Sequence, residues 1–302
     1  MRYLETARFI DAVARAGSIR RAADTLSITS TALNRRILAV EEELGVQIFE
    51  RLSHGVRLSS AGEILIHAIR NQISDIERVK SQISDLSGER RGHVAIACSQ
   101  ALLPYFLPMQ IAQYRKDHPN VTFDVHLRDR EAAERALADH TADIALVFEP
   151  VRMAEFHTIL RVRQPVHAVM AENHPLAGRE RVRLSDCLDY PLAVPTAPYG
   201  VRHLLDIAVL SAQIRLNPVI ESDSFEFLRN LAVAENIISF QIPIGLSNIT
   251  LTGLMTSRPL DPRDVPAGVL YMGQMRGRTL PVAAARFAAQ LSAALSTQFE
   301  VC

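Results

Sequence analysis

Three breaks constrain the start of the chain more than any other feature: Gly17-Ser18, the run Ser27-Ile28-Thr29-Ser30, and Gly45. Residues 4–16 place Phe9, Ile10, Val13 and Ala14 on one helical stripe. Gly17 supplies the left-handed residue that ends a helix, and Ser18 offers a hydroxyl to cap the next one, about residues 19–26. The hydroxyls of 27–30 then cap a third helix running to Leu44, with Gly45 just past its end. Helix, tight polar turn, helix is a helix-turn-helix plan.

After Gly45 the pattern turns to strands. Val46–Leu52 and Val56–Leu58 flank Ser53-His54-Gly55 as a small hairpin or wing. Ser60-Ala61-Gly62-Glu63 has the spacing of a capping box and opens a long helix to about Leu86. Along it Ile66, Ile69, Ile73, Ile76 and Ile83 follow three- and four-residue steps, interrupted by Lys80 and partly restored by Val79. Such a stripe packs either on its own domain or on a partner helix; the partner helix is the expectation carried forward. The polar, glycine-bracketed segment 87–93, SGERRGH, marks a domain boundary.

Beyond it strands and helices alternate. Strands are expected at His93–Cys98, Val121–Leu127 and Ile144–Phe148, with helices at Leu102–Asp117 and Glu131–Asp139. A second set has strands near 157–171, 191–194, 216–220 and 236–241, with helices from Gly200 and at 225–234. Strands near 251–258 and 267–273 and a helix from Pro281 to Leu295 close the chain. This alternation predicts α/β lobes whose ligands sit at the carboxyl ends of strands, in a cleft between lobes. The expected organisation is a winged helix-turn-helix module at 1–59, a linker and dimerisation helix at 60–87, and a two-lobed domain at 88–302. Lobe I takes about 92–160 and 266–302, and lobe II about 161–265.

Lysine and arginine together number 33, as do aspartate and glutamate, so bulk charge announces no partner. Arginine carries nearly all the positive charge, since Lys80 and Lys116 are the only lysines. Cys98, Cys187 and Cys302 make neither a CxxC nor a metal-type spacing, which fits a reducing cytoplasm. The N-terminus has no signal-peptide core, and the uncharged stretch Asn236–Ser257 contains Pro243, Gly245 and Asn248, reading as strand and loop rather than a membrane span. No GxSxG, HExxH, P-loop or GxGxxG occurs, so an enzyme is not expected, and neither is a cofactor or a metal.

Phe9, Val13, Gly17-Ser18, Ala22-Ala23, Leu26, Ser27, Ala32, Arg35, Ile37, Glu41 to Gly45, the IFER of 48–51, Gly55, Leu58 and Ala61-Gly62 resemble the winged helix-turn-helix of LysR-type transcriptional regulators. The HPLA of 174–177 and the segment 221–243 are similar to the effector-binding part of that family. The resemblance implies an α/β fold with an N-terminal winged helix-turn-helix, a linker helix and a two-lobed effector domain resembling type II periplasmic binding proteins. It implies a homodimer or homotetramer on double-stranded promoter DNA, controlled by a small-molecule effector and engaging RNA polymerase. Two positions depart from the family: Ser30-Thr31 stand where Gln is usual, and Asn34 stands where Ser is usual.

Residues 1–60 hold nine arginines against seven acidic groups, a net of only +2, so placement must matter more than charge. The reading residues expected on the third helix are Ser30, Thr31, Asn34 and Arg35, with Thr29 and Arg36 beside them. Asn pairs two-fold with adenine and Arg with guanine. Arg20, Arg21, Arg51 and Arg57 are expected on phosphates, the alternative being pairs with Asp24 or Glu50. For the effector, the candidates are Ser99 and Gln100 after the first strand, Arg128 after the second, Phe148 and Glu149 after the third, Thr196, Tyr199 and Arg202 at a strand-to-helix turn, and Gln241. Arg128 and Arg202 suit a carboxylate, whereas Glu149 suits the amine of an amino acid. Ser99 and Thr196 also read as plain helix caps. A redox-responsive regulator using Cys98 or Cys187 is the alternative within the same architecture.

Overall fold

The left-handed glycines do what their positions require. Gly17 has φ +60° and Gly45 has φ +68°, so α1 (Arg2–Ala16) and α3 (Ser30–Leu44) stop where predicted. Ser18 caps α2 (Ile19–Thr25) by accepting from the Arg21 amide, and Thr29 caps α3 by accepting from the Ala32 amide at 3.2 Å. Between them Ser27 turns the chain at φ 55°. The computed structural model describes residues 2–86, 91–246 and 253–302, and its chain divides into two units, Met1–Ile83 with Arg278–Pro281, and Ser84–Gly277 with Val282–Cys302. The predicted boundary segment begins outside the described residues, which resume at Arg91.

In the first unit Ile10, Leu33 and Ile48 are fully enclosed, each worth about 1.5–3 kcal/mol of burial. They knit the three helices to a two-stranded antiparallel wing, β1 (Phe49–Leu52) and β2 (Gly55–Leu58). The first strand starts at Phe49 rather than Val46, because the Ile48 and Phe49 amides are taken by the Glu41 carboxylate at 2.8 and 3.1 Å. The wing tip is stapled to the α1–α2 turn: the Val56 amide donates to the Gly17 carbonyl at 3.0 Å, and Gly55 lies so close to that carbonyl that a Cβ would collide with it.

The long helix α4 runs Ser60–Leu86. Its cap differs from the capping box read in the sequence: Ser59, one residue earlier, accepts from the Gly62 amide at 3.0 Å and donates to the Gln47 carbonyl. The isoleucine stripe also needs correction. Ile66 and Ile69 are buried in the unit's own core and Ile73 packs against it, so three of the five isoleucines of the expected partner seam are spoken for. Among the described residues, the large apolar side chains exposed on α4 are Ile64 at 76%, Val79 at 44% and Ile83 at 59%.

The second unit holds two mixed sheets. The first has the order β4-β3-β5-β12-β6, from β3 (Gly92–Cys98), β4 (Val121–Leu127), β5 (Ile144–Phe148), β6 (Phe156–Gln164) and β12 (Gly268–Met275). β3, β4 and β5 run parallel, and β12 pairs antiparallel with both β5 and β6. α6 (Arg130–Ala138) covers the face carrying Ala97, Ala145 and Val147. α5 (Phe106–Asp117) and α10 (Val282–Gln298) meet at an edge-to-face aromatic set, Tyr114, Phe123 and Phe287.

The second sheet has the order β11-β7-β10-β8-β9, from β7 (His167–Ala171), β8 (Leu192–Pro195), β9 (Ile220–Ser222), β10 (Ile238–Gln241) and β11 (Met255–Pro259). Three helices belong to it: α7 (Leu184–Cys187), α8 (Gly200–Ala212) and α9 (Phe225–Ala234). The region near 157–171 read as continuous strand is two strands in different sheets, broken at Pro165-Val166. The strand expected near 216–220 lies at 220–222. Among the described residues no helix is long and apolar enough to cross a membrane.

Candidate functional site

On α3, Leu33 and Ile37 face the core, which turns Thr31, Arg35 and Leu38 outward on the opposite face at i, i+4 and i+7. All three are exposed, Leu38 at 45%. Leu38 escaped the sequence reading because an apolar residue on a helix counts toward the core; here it is a surface methyl pair suited to a thymine methyl. Ser30 and Thr29 open the helix on its exposed end, with the Thr29 hydroxyl oxygen committed to the cap.

Other expected DNA contacts are redirected. Arg36 leans back on α1, its guanidinium 4.7 Å from the Phe9 ring centroid and 3.3 Å from Glu5, so it packs the module rather than facing outward with Arg35. Arg21 donates to the Ala16 carbonyl and so closes the end of α1. Asn34 accepts from Arg51 at 3.1 Å, which ties α3 to the wing and engages the acceptor that adenine reading needs. Arg57 pairs across the wing with Glu50 at 2.7 Å, the alternative foreseen for it, and this weakens it as a phosphate contact. Arg20 is exposed at the start of α2.

In the second unit the carboxyl ends of the parallel strands converge. Ser99 follows β3, Arg128 follows β4, and Phe148 ends β5; Tyr199 precedes α8, and Gln241 ends β10. These five line one cavity of about 10 Å³, with Asp129, Arg130 and Phe225 also in its wall. That is room for about one water. Gly200 at the start of α8 forms part of the cavity wall, where a Cβ would sit 2.6 Å from the Phe148 carbonyl and 2.7 Å from its ring.

Ser99 is not a helix cap: its hydroxyl oxygen accepts from the Phe148 amide at 3.1 Å, leaving the hydroxyl proton to donate. Tyr199 makes no side-chain cap bond, so the first amides of α8 keep their positive end toward the cavity. Burial, with Asp223 and Asp129 nearby, pushes the Tyr199 hydroxyl above its ordinary pKa, so it stays a neutral donor. Arg128 is exposed at the rim and spends one nitrogen on the Leu127 carbonyl at 2.9 Å.

Four candidates fall outside the cavity wall. Gln100 lines a neighbouring cavity of about 280 Å³ with Leu103, Pro104, Ser224, Glu226 and Arg229. The Glu149 carboxylate accepts from the Val269 amide at 2.7 Å and so braces β12. Thr196 is a turn residue whose amide donates to the Ser222 carbonyl at 3.1 Å. Arg202 is held by Asp206 at 2.7 Å, Glu221 at 3.1 Å and the Pro195 carbonyl, which leaves no fork for a ligand. Arg130, missed in the sequence, donates to the Glu149 carbonyl, and burial lowers its pKa from the usual arginine value. Its signal was the RDR that follows β4, read as a single arginine.

The thiols also separate. Cys98 and Cys187 are buried, and burial pushes each up to about 12, so neither forms thiolate near neutral pH. This argues against the redox alternative built on them. Cys302 is exposed.

Residues 87–296 match the LysR substrate binding domain, and residues 4–63 match the bacterial regulatory helix-turn-helix protein of the lysR family. The chain belongs to the LysR family of transcriptional regulators. It is a DNA-binding regulator with an effector-binding domain. As a LysR-family chain it is 22% identical over 280 residues to the HTH-type transcriptional activator CmpR of Synechocystis sp., covering 91% of this chain and 90% of that one. A full-length OxyR variant from Pseudomonas aeruginosa shares its fold with a TM-score of 0.73 at 20% identity, over 95% of this chain and 94% of that one. The effector binding domain of QuiR in complex with shikimate does so with a TM-score of 0.58 at 17% identity, over 69% of this chain and 99% of that one.

Proposed function

We propose that this LysR-family regulator reads promoter DNA with Thr31, Arg35 and Leu38 of α3, and that Arg20, Arg51 and the wing set its position on phosphates. The observation that carries this reading is the outward row at 31, 35 and 38, on a helix whose opposite face is locked in the core. Arg35 suits guanine and Leu38 suits thymine, each worth about 1–3 kcal/mol of discrimination. The module at 1–59 and the helix at 60–87 serve DNA binding and self-association, and 88–302 receives the signal. Two copies, or four, would place reading helices on successive half-sites. Among the described residues, Ile64, Val79 and Ile83 are exposed apolar positions on α4 available for that contact. The chain works where promoter DNA is, in the cytoplasm.

The signal is a small molecule with a carboxylate. Ser99, just past β3, keeps a hydroxyl proton to donate, the α8 N-terminus offers backbone amides, and Arg128 waits at the rim, while Glu149 lies outside the cavity wall and braces β12. Binding of a ligand that prefers one lobe arrangement then shifts promoter occupancy.

Gel-shift titration of the full-length protein on the DNA upstream of its own gene tests the first half. Arg35→Ala and Leu38→Ala should each cost about tenfold in specific affinity while random DNA is bound as before. Equal affinity of the wild type for upstream and random DNA overturns the reading. Thermal-shift screening with carboxylate metabolites tests the second half, since a ligand of the folded state raises the midpoint.

A further inference from the structure

Gln100 is a side chain that ties the two lobes together. It lies just past β3, on the first lobe, in a short 3₁₀ turn. Its amide nitrogen donates to the Asp223 carbonyl at 2.9 Å, and its amide oxygen accepts from the Phe225 amide, both on the second lobe where β9 passes into α9. A primary carboxamide offers one donor and one acceptor side by side, and the backbone flanking Ser224 offers the complementary pair. Nearby, Arg229 of α9 donates to the Tyr105 hydroxyl at 2.7 Å and lies 5.4 Å from its ring centroid. On the other side of the cleft, Gly200 rests against Phe148.

We propose that Gln100 is a latch that holds the two lobes together across the cleft. The space among these strand ends has room for about one water, so a larger ligand seated there needs the lobes to move apart. The latch must yield for that to happen, because both ends of its one carboxamide are bonded across the lobes. The Phe225 amide it occupies is at the positive end of α9, where a carboxylate would compete well with a neutral carboxamide. Gln100 thus acts by fixing the closed arrangement rather than by lining the site. This regulatory consequence rests on the effector-cleft reading; the latch itself does not.

Hydrogen–deuterium exchange on the full-length protein tests it, comparing wild type, Gln100→Ala and Gln100→Glu. The informative peptides cover Phe148–Glu149 and Gly200–Val201, which are not the hydrogen-bond partners of the Gln100 carboxamide. Loss of two hydrogen bonds should speed their exchange about tenfold or more in Gln100→Ala, with β12 and α10 unchanged. Gln100→Glu keeps the acceptor for Phe225 but faces the Asp223 carbonyl with a second acceptor, so its peptides should fall between. Should Gln100→Ala not fold, Gln100→Glu carries the test alone. Exchange at both remote peptides equal to wild type overturns the latch. Upstream-DNA affinity measured on the same samples separates the two ideas: faster exchange with unchanged affinity sinks effector control and leaves the latch, whereas unchanged exchange sinks the latch alone.

Discussion

Replacing Glu41 by Ala should loosen the wing from the reading helix. One carboxylate oxygen of Glu41 accepts from two successive amides, Ile48 at 2.8 Å and Phe49 at 3.1 Å, and both of those residues are buried. Alanine leaves two enclosed donors without an acceptor, each costing about 1–3 kcal/mol. Allowing for water reaching a loosened wing, the sum is about 3 kcal/mol, roughly a hundredfold in the folded-to-unfolded ratio of this unit. Glu41→Gln retains an oxygen at the same place and should lose only the charge assistance, about 1 kcal/mol. Urea unfolding of the full-length protein, followed by far-ultraviolet circular dichroism, measures the first quantity. Gel-shift affinity below the transition measures whether a loosened wing still grips phosphate. A Glu41→Ala midpoint equal to wild type, or a Glu41→Gln protein as unstable as Glu41→Ala, refutes the reasoning.

Alkylation of the native protein at mildly alkaline pH should label Cys302 alone, because the thiols of Cys98 and Cys187 are buried and pushed up to about 12; rapid labelling of either would contradict this. His167, held down to about 4 by burial and by Arg258 against an ordinary 6.5, binds its proton more readily in the unfolded chain. Stability of the second lobe should therefore fall by about 3 kcal/mol as pH drops from near 6.5 to near 4, and His167→Gln should flatten that slope. The Glu134 carboxylate gathers the amides of Val151 at 2.6 Å, Arg152 at 3.1 Å and Met153 at 3.0 Å, so Glu134→Ala should free that loop and speed tryptic cleavage after Arg152 about tenfold. Cleavage at the wild-type rate would show that the loop is held by something else.

What the residues announced in advance was mostly local chemistry. Gly17, Ser18, Thr29 and Gly45 act on backbone groups within four positions of themselves, so their roles follow from spacing. Where two neighbours satisfied one rule, the register slipped by one: Ser59 and Ser60 both fit a cap, and only the Gln47 carbonyl, far back in the chain, favours the first. The isoleucine stripe has one period whether it meets its own core or another helix, so periodicity did not distinguish them. In the cleft, strand ends located Ser99, Arg128, Phe148, Tyr199 and Gln241, because parallel strands bring their carboxyl ends to one edge. That Gln100, Arg202 and Glu149 stand outside that cavity's wall was not legible, because their partners, Phe225, Glu221 and Val269, come from elements that no sequence pattern pairs with them.

The staple between the Gly17 carbonyl and the Val56 amide has a mechanical meaning. With Glu41 clamping one end of the hairpin and Gly17 the other, turn, reading helix and wing are braced like a triangulated frame. A frame of that kind transmits a push without changing shape. Its grip on a duplex is therefore tuned by where the whole piece is set down, and substitutions that slacken the bracing should blur which bases are recognised before they abolish attachment.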